Sequence, residues 1–331
     1  MIVLTSYFMP ASEKQQRFRI AVAFGLVYVL WGSTYLAMRI AVRDLPPYVA
    51  GGVRYLISGP VMLLACALLG RKIRVTRRDL ARLAVIGILL LSMGNIGVLW
   101  AEEYVPSNLA ALIVALVPIW VVILEAWAFR SGRMSAQGLF GIFLGIGGLL
   151  LLLWPRIAAG THLGRQELIG CAILAAASFA WALGSIFSHR FSLSVDVFVS
   201  AAWQMTIAGL VNAAIALASG QFLKAHWTGS ALGAIAYLIV SGSWIGYTAY
   251  IYLLEHVPTA KVATYAYVNP IVALILGWLI LREGVDIFML VGTTIIIASV
   301  WLVNTSKLKQ PAVETAVTEE TCPKTVNVGG D

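Results

Sequence analysis

Charge is what this sequence has least of. Lys, Arg, Asp and Glu together make up 11% of its 331 residues, against about 25% in an ordinary soluble domain. Cysteine is scarce as well. Cys66, Cys171 and Cys322 are too few and too scattered for a disulfide framework or a metal-ligand spacing. The four histidines, at 162, 189, 226 and 256, stand far apart. Neither His-Glu-x-x-His nor Gly-x-Ser-x-Gly occurs, so a metal-dependent or nucleophile-based enzyme has no visible machinery. No cofactor or metal site is expected. A soluble protein so poor in charge would leave large apolar patches in water and aggregate. That excludes an ordinary cytosolic enzyme, a secreted disulfide scaffold and a disordered chain.

What is present is apolar mass: 60% of the residues are hydrophobic. A spanning helix needs about 20 such residues. Ten apolar runs can be marked. The first half holds Ile20–Val42, Val49–Leu69, Leu83–Ala101, Asn108–Phe129 and Ala136–Trp154. The second half holds Leu168–Phe187, Phe198–Ala218, Ala231–Leu254, Lys261–Leu281 and Ile287–Val303. Helix is the expected state, because lipid cannot satisfy a backbone amide. The alternating strands of a membrane barrel are missing. The expectation is an all-α membrane protein of ten transmembrane helices. Its parts are a cytoplasmic segment 1–18, a first five-helix unit 19–154, an outer linker 155–167, a second unit 168–304 and a disordered tail 305–331. The run after Lys14, Arg17 and Arg19 is too long for a signal-peptide core and is read as a retained first helix.

The net charge of +8 needs no nucleic acid to explain it, since the basic residues sit in short loops. With the N-terminus inside, inner segments carry 16 Lys and Arg and outer segments 6, with Arg54 mid-helix. Both termini are therefore expected on the cytoplasmic side of a plasma (inner) membrane. The first half, 11 to 2, decides this; the second, 5 to 4, hardly contributes.

The chain also repeats itself. Gly94, Glu103, Pro106 and Pro118 recur as Gly246, Glu255, Pro258 and Pro270, all at an offset of 152. Trp31 recurs as Trp181 at an offset of 150, which sets Arg54 opposite Gln204. Five helices per unit is an odd number, so the second copy is expected to lie upside-down relative to the first. Inverted repeats of this kind are typical of secondary transporters with a site near the midplane.

These residues resemble a known family. The Trp31-Gly32-Ser33-Thr34 stretch, Arg54-Tyr55-Leu56, the paired segments ending at Pro118 and at Asn269-Pro270, and Arg282-Glu283 are similar to the EamA type of the drug/metabolite transporter superfamily. The resemblance covers roughly Phe18 to Val303. Within the family the chain looks most similar to metabolite exporters of bacterial inner membranes. The resemblance implies five-plus-five inverted repeats, cytoplasmic termini and efflux of amino acids or other small metabolites. One departure is Ser131, which stands where the family often has a glutamate, so no acidic pair with Glu283 is formed. The superfamily's small multidrug pumps depend on an acid in helix 1, and none occurs here between Ile20 and Val42.

Candidate site residues follow from scarcity and from the repeat. Arg54 is a charge set within helix 2, where charge is costly; it is read as a substrate-carboxylate anchor or an outer gate, against simple snorkelling. Glu125 is the acid well inside an apolar run and is read as a proton-coupling group or as a structural ion pair. Trp31, Ser33, Asn95, Trp181, Gln204, Tyr247, Tyr267 and Asn269 are expected to bind substrate, with ordinary helix packing as the competing account. Tyr265 and Tyr267 are two apart, so at most one is expected to face a cavity. Pro118 and Pro270 are read as matched hinges, with plain fold geometry as the alternative. Gly138, Gly141 and Gly145 give helix 5 a small face.

The expected partners are the lipid bilayer and a small-molecule metabolite, in a monomer or homodimer. The function is read as a carrier working by alternating access, and the resemblance implies export. Uptake, or transport of drugs, purines or lipid-like compounds, is the runner-up; a membrane enzyme or a channel ranks below it.

Overall fold

A computed structural model describes residues 11–105, 110, 113–114, 116–125, 133–158, 165–269, 271–272, 275, 287–306 and 308–309. It is helical almost throughout. In chain order the helices are α1 (Ala11–Val42), α2 (Pro47–Leu68), α3 (Arg77–Ala101), α4 (Val117–Ile123) and α5 (Ala136–Ala158). They continue with α6 (Arg165–Arg190), α7 (Val197–Ala218), α8 (Gly229–His256), α9 (Thr259–Val262, with residues 265–269 also helical) and α10 (Ile287–Thr305). The one extended pairing among the described residues is antiparallel and two residues long, Arg133–Met134 against Leu308–Lys309.

Six of these helices reach spanning length and apolarity: Glu13–Val42, Pro47–Leu68, Arg77–Ala101, Leu168–Arg190, Val197–Ala218 and Gly229–His256. Ten spans are not established. The runs at 108–129 and 261–281 fall partly outside the described residues, and α5 and α10 show shorter apolar stretches, Ala136–Gly148 and Leu290–Val303.

Local chemistry fixes the helix ends. α2 starts on Pro47, whose missing N–H costs nothing at a first helical position. Thr76 caps α3 by accepting from the Asp79 amide at 3.1 Å, and Asp79 also complements the positive helix end. Thr228 does the same for α8 from the Ala231 amide at 3.2 Å. α2 and α7 both stop at a left-handed glycine, Gly70 (φ 75°) and Gly220 (φ 67°), a conformation that only glycine adopts cheaply. Thr76 and Thr228 stand 152 residues apart, Gly70 and Gly220 150 apart, so the offsets seen in the motifs extend to the caps.

Packing carries the same offsets. α2 lies along α7, α5 along α10, α3 against α6 and α1 against α8. Gly59 lets the Thr206 backbone approach α2, since a Cβ there would lie 2.5 Å from the Thr206 nitrogen. Gly209 admits Leu56 in the same way, at 2.6 Å. Gly94 leaves room for the Trp181 ring, and Gly246 for the Trp31 ring. Each of these contacts has its mate with the halves exchanged. On α5, Gly141, Gly145 and Gly148 face Val303, Ser299 and Ile295 of α10, so the small face of helix 5 is used within the chain.

α3 and α8 share one more irregularity. Residues Ile88–Asn95 of α3 and Leu238–Tyr247 of α8 are π-helical, a widened turn that is rare and concentrates at functional positions. Both stretches end at matched residues, Asn95 and Tyr247.

Candidate functional site

Between the two halves lies a cavity of ≈ 60 Å³, room for several water molecules. α1 lines it with Trp31, Thr34, Tyr35 and Met38, a single face at 3–4-residue spacing. α2 contributes Arg54 and Tyr55; α3 contributes Leu91, Gly94, Asn95 and Val98; α4 contributes Val117, with Val114 before it. From the second half come Ala177, Ser178 and Trp181 of α6, Gly242 and Tyr247 of α8, and Tyr265 and Asn269 of the α9 region. The two π-helical stretches therefore border the cavity from opposite halves.

Arg54 is the charge in this wall. It is 5% exposed. Its Nε donates to Ser243 Oγ at 2.8 Å and its Nη1 to Asn95 Oδ1 at 3.3 Å. Tyr55 donates to the same Asn95 oxygen at 2.9 Å, and its ring lies under the guanidinium, 4.9 Å from Cζ. A Cβ on Gly242 would come within 2.6 Å of Nη2, so the absent side chain makes the space that the guanidinium fills. Arg54 bears five N–H donors, and these two bonds use only two of them. No carboxylate reaches ion-pair distance of it among the described residues. A buried cation without a counter-ion is costly, and an anion entering the cavity removes that cost.

A second part of the lining is aromatic. Trp31 meets Trp181 edge-on at 5.5 Å between ring centroids, Tyr265 edge-on at 5.1 Å and Tyr250 at 4.8 Å. Tyr250 lies behind the lining and locks it: Trp181 Nε1 donates to its hydroxyl at 2.9 Å, and Ser185 Oγ lies 2.6 Å away. Trp31 Nε1 donates to the Gly242 carbonyl at 3.3 Å, tying α1 to α8. Aromatic faces of this kind attract an ammonium group. Asn269 adds a buried Oδ1 with no hydrogen-bond partner among the described residues. The cavity lining thus combines the Arg54 guanidinium with an aromatic cluster and the Asn269 oxygen.

Of the residues singled out from sequence, Trp31, Arg54, Asn95, Trp181, Tyr247 and Asn269 meet in this cavity. Ser33 does not. It sits off the Trp31–Thr34–Met38 face and bonds Leu30 O at 2.7 Å and Tyr237 OH at 2.6 Å. Gln204 lies one layer behind, where its Oε1 accepts from Tyr247 OH at 2.6 Å and its amide donates to Ser200 at 3.0 Å. Tyr267 is buried against Gly145 of α5, and Tyr265 takes the lining position instead. Glu125 lies away from the cavity, with His189 and Arg190 of α6 as its charged neighbours. Pro118 falls in the first turn of α4; Pro270 lies outside the described residues. Sequence reading missed Thr34, Tyr35, Met38, Tyr55 and Ser243. The α1 residues were within reach, because stepping 3, 4 and 7 from Trp31 finds them. Ser243 carried no signal, since its role depends on where α2 meets α8.

A larger cleft of ≈ 320 Å³ lies between α2, α3 and α6, lined by Tyr48, Met93, Ile96, Trp100 and Ile173 among others. It is lined by no charged side chain and is bordered by the exposed Met93.

Comparisons with known proteins bear on the family and the fold. The EamA-like transporter family matches residues 19–154 and again 168–305. The "Uncharacterized inner membrane transporter YedA" of Escherichia coli (strain K12) is 34% identical over 288 residues, covering 86% of this chain and 90% of the relative. The "Uncharacterized transporter YoaV" of Bacillus subtilis (strain 168) is 21% identical over 286 residues, covering 86% and 96%. A solved crystal structure superposes with a TM-score of 0.71 at 20% identity, over 86% of this chain and 95% of that one, a likeness of fold.

Proposed function

Because the chain belongs to the EamA-like transporter family and is a multi-pass inner-membrane protein, we propose that it exports amino acids or closely related small metabolites by alternating access. The observation that carries the substrate class is Arg54: a buried cation in the cavity wall, uncompensated by any acid among the described residues. A substrate carboxylate fills that role. The Trp31–Trp181–Tyr265 wall and the unpartnered Asn269 oxygen receive the ammonium group at the other end. An α-amino acid carries both charges on one small molecule.

The reciprocal contacts at offsets of 150 and 152 support two inverted five-helix repeats with the site between them. The Lys and Arg distribution supports cytoplasmic termini. Rocking of one repeat against the other then exposes the cavity to each side in turn, and the paired π-helical stretches are the deformable points beside it.

The test is exchange in proteoliposomes. Purified protein should catalyse saturable counterflow of a mixture of radiolabelled amino acids, inhibited by excess unlabelled substrate. Compounds without a carboxylate should compete poorly. Counterflow of uncharged or lipid-like probes with no amino-acid competition would contradict the reading.

A further inference from the structure

Glu102, the first residue beyond α3, has a carboxylate that the site as described leaves unused. Both of its oxygens are buried, and neither has a hydrogen-bond partner among the described residues. Its placement relates it to the cavity. Asn95 and Val98 line the wall, and Glu102 follows them at 3–4-residue spacing on the same face of α3. From α1, Tyr35 and Arg39 are the groups that bear on it, and Tyr35 itself lines the cavity. On its own turn Glu103 and Tyr104 interact with each other. α2 and α6, which also pack against α3, set no charged group against it among the described residues.

The mate of this junction in the second half makes the carboxylate conspicuous. Arg39 corresponds to His189 at an offset of 150, and Glu102 to Leu254 at 152. There, His189 Nδ1 contacts the Leu254 carbonyl at 2.5 Å, a link between α6 and α8 that uses no carboxylate. The matched junction is thus made without an acid at the position of Glu102.

The geometry points to Glu102 as the proton-binding group of the transport cycle, protonated while the cavity's outer end is closed over it and ionised when that end opens to water. This rests on the transporter reading. The proton comes from water and returns to it; the carboxyl group gains and loses its hydrogen and no other bond changes. Burial pushes the carboxyl up to about 8, with Arg39 pulling the other way. The sign follows directly: buried, Glu102 holds its proton at neutral pH, and hydrated it returns towards the ordinary carboxylate range near about 4.3 and releases it. A group that switches over this range as one side opens links conformation to a proton gradient.

Two measurements separate this proposal from the substrate reading. Infrared titration of the purified protein in lipid nanodiscs should show a protonated-carboxyl band lost with a midpoint near pH 8, absent in Glu102→Gln and retained in Glu125→Gln. A band that persists in Glu102→Gln overturns the assignment, whatever the substrate. In proteoliposomes loaded at acid pH, the wild type should accumulate radiolabelled amino acids against their gradient at least tenfold faster than Glu102→Gln, while counterflow at equal pH is retained in both. Gradient-driven accumulation by Glu102→Gln overturns the coupling role. If neither protein moves any amino acid, the substrate class fails and the infrared result still decides the proton site.

Discussion

The two halves make the same contact between their second and third helices with different chemistry. In the first half Arg54 of α2 donates to Asn95 of α3. In the second, Tyr247 of α8 donates to Gln204 of α7. The positions correspond, at offsets of 150 and 152, and so do the π-helical stretches that end at Asn95 and Tyr247. A neutral pair therefore satisfies the fold. The guanidinium adds a desolvation cost that helix packing does not demand, and it stands in a cavity wall whereas Gln204 is packed behind Tyr247. Fold symmetry thus distinguishes structural polar residues from functional ones: what both copies keep is architecture, and what one copy alone carries calls for a different cause.

The sharpest way to break this comparison is to make the first half copy the second. Arg54→Gln places at position 54 the residue that the matching site already tolerates, so membrane abundance should hold. Transport should not. A charge-assisted hydrogen bond is worth about 1.5–3 kcal/mol, and about 1.4 kcal/mol is tenfold in affinity, so counterflow at sub-saturating substrate should fall roughly 10- to 100-fold. Wild-type counterflow in Arg54→Gln would remove the anion site and the contrast between the halves together.

Glycine tests what the halves share. Gly59 and Gly209 face backbone atoms across the α2–α7 contact at 2.5 and 2.6 Å from where a Cβ would stand. Valine at either position should separate the helices and cost about 1–3 kcal/mol, the usual penalty of overpacking. The expected readout is a comparable loss of thermal stability in detergent for both variants. A large loss at one and none at the other would show that the reciprocal contact is unequal in energy.

Much of this was legible in sequence because it depends on local spacing. Apolar runs and the doubled glycine and proline positions set the helices and the offsets, and the cost of intramembrane charge singled out Arg54. What was not legible depends on how the helices meet. The apolar and aromatic mass around Tyr265 and Tyr267 gives no preference between them; only contact with α5 turns Tyr267 away. Ser33 and Thr34 are adjacent hydroxyls, and a rotation of one residue decides which joins the cavity face. Glu102 was passed over because it stands at the end of a run, where acids are ordinarily solvated, and its burial arises from the packing around it.

A smaller effect is expected in the neutral half. Tyr247→Phe removes the donor to Gln204 Oε1 and leaves that oxygen buried without it, which costs about 1–3 kcal/mol. The loss should appear as a lower melting temperature, with substrate affinity changed less than threefold, because Tyr247 is present in the cavity wall chiefly as a ring. An affinity loss equal to that of Arg54→Gln would mean that both halves bind substrate, and would erase the distinction drawn between them.

The least effect belongs to Tyr267, and it tests the cavity's boundary. Its hydroxyl is buried without a hydrogen-bond partner among the described residues, and its ring packs on Gly145. Phenylalanine preserves the ring and deletes a polar group that gains nothing in return, so Tyr267→Phe should be neutral or slightly stabilising. Counterflow should stay within twofold of wild type. Tyr265→Phe offers the matched control, because that ring lies against Trp31 and lines the cavity. If Tyr267→Phe lowers transport and Tyr265→Phe does not, the substrate contacts the α5 side of α9, and the site extends beyond the space between Arg54 and the tryptophans.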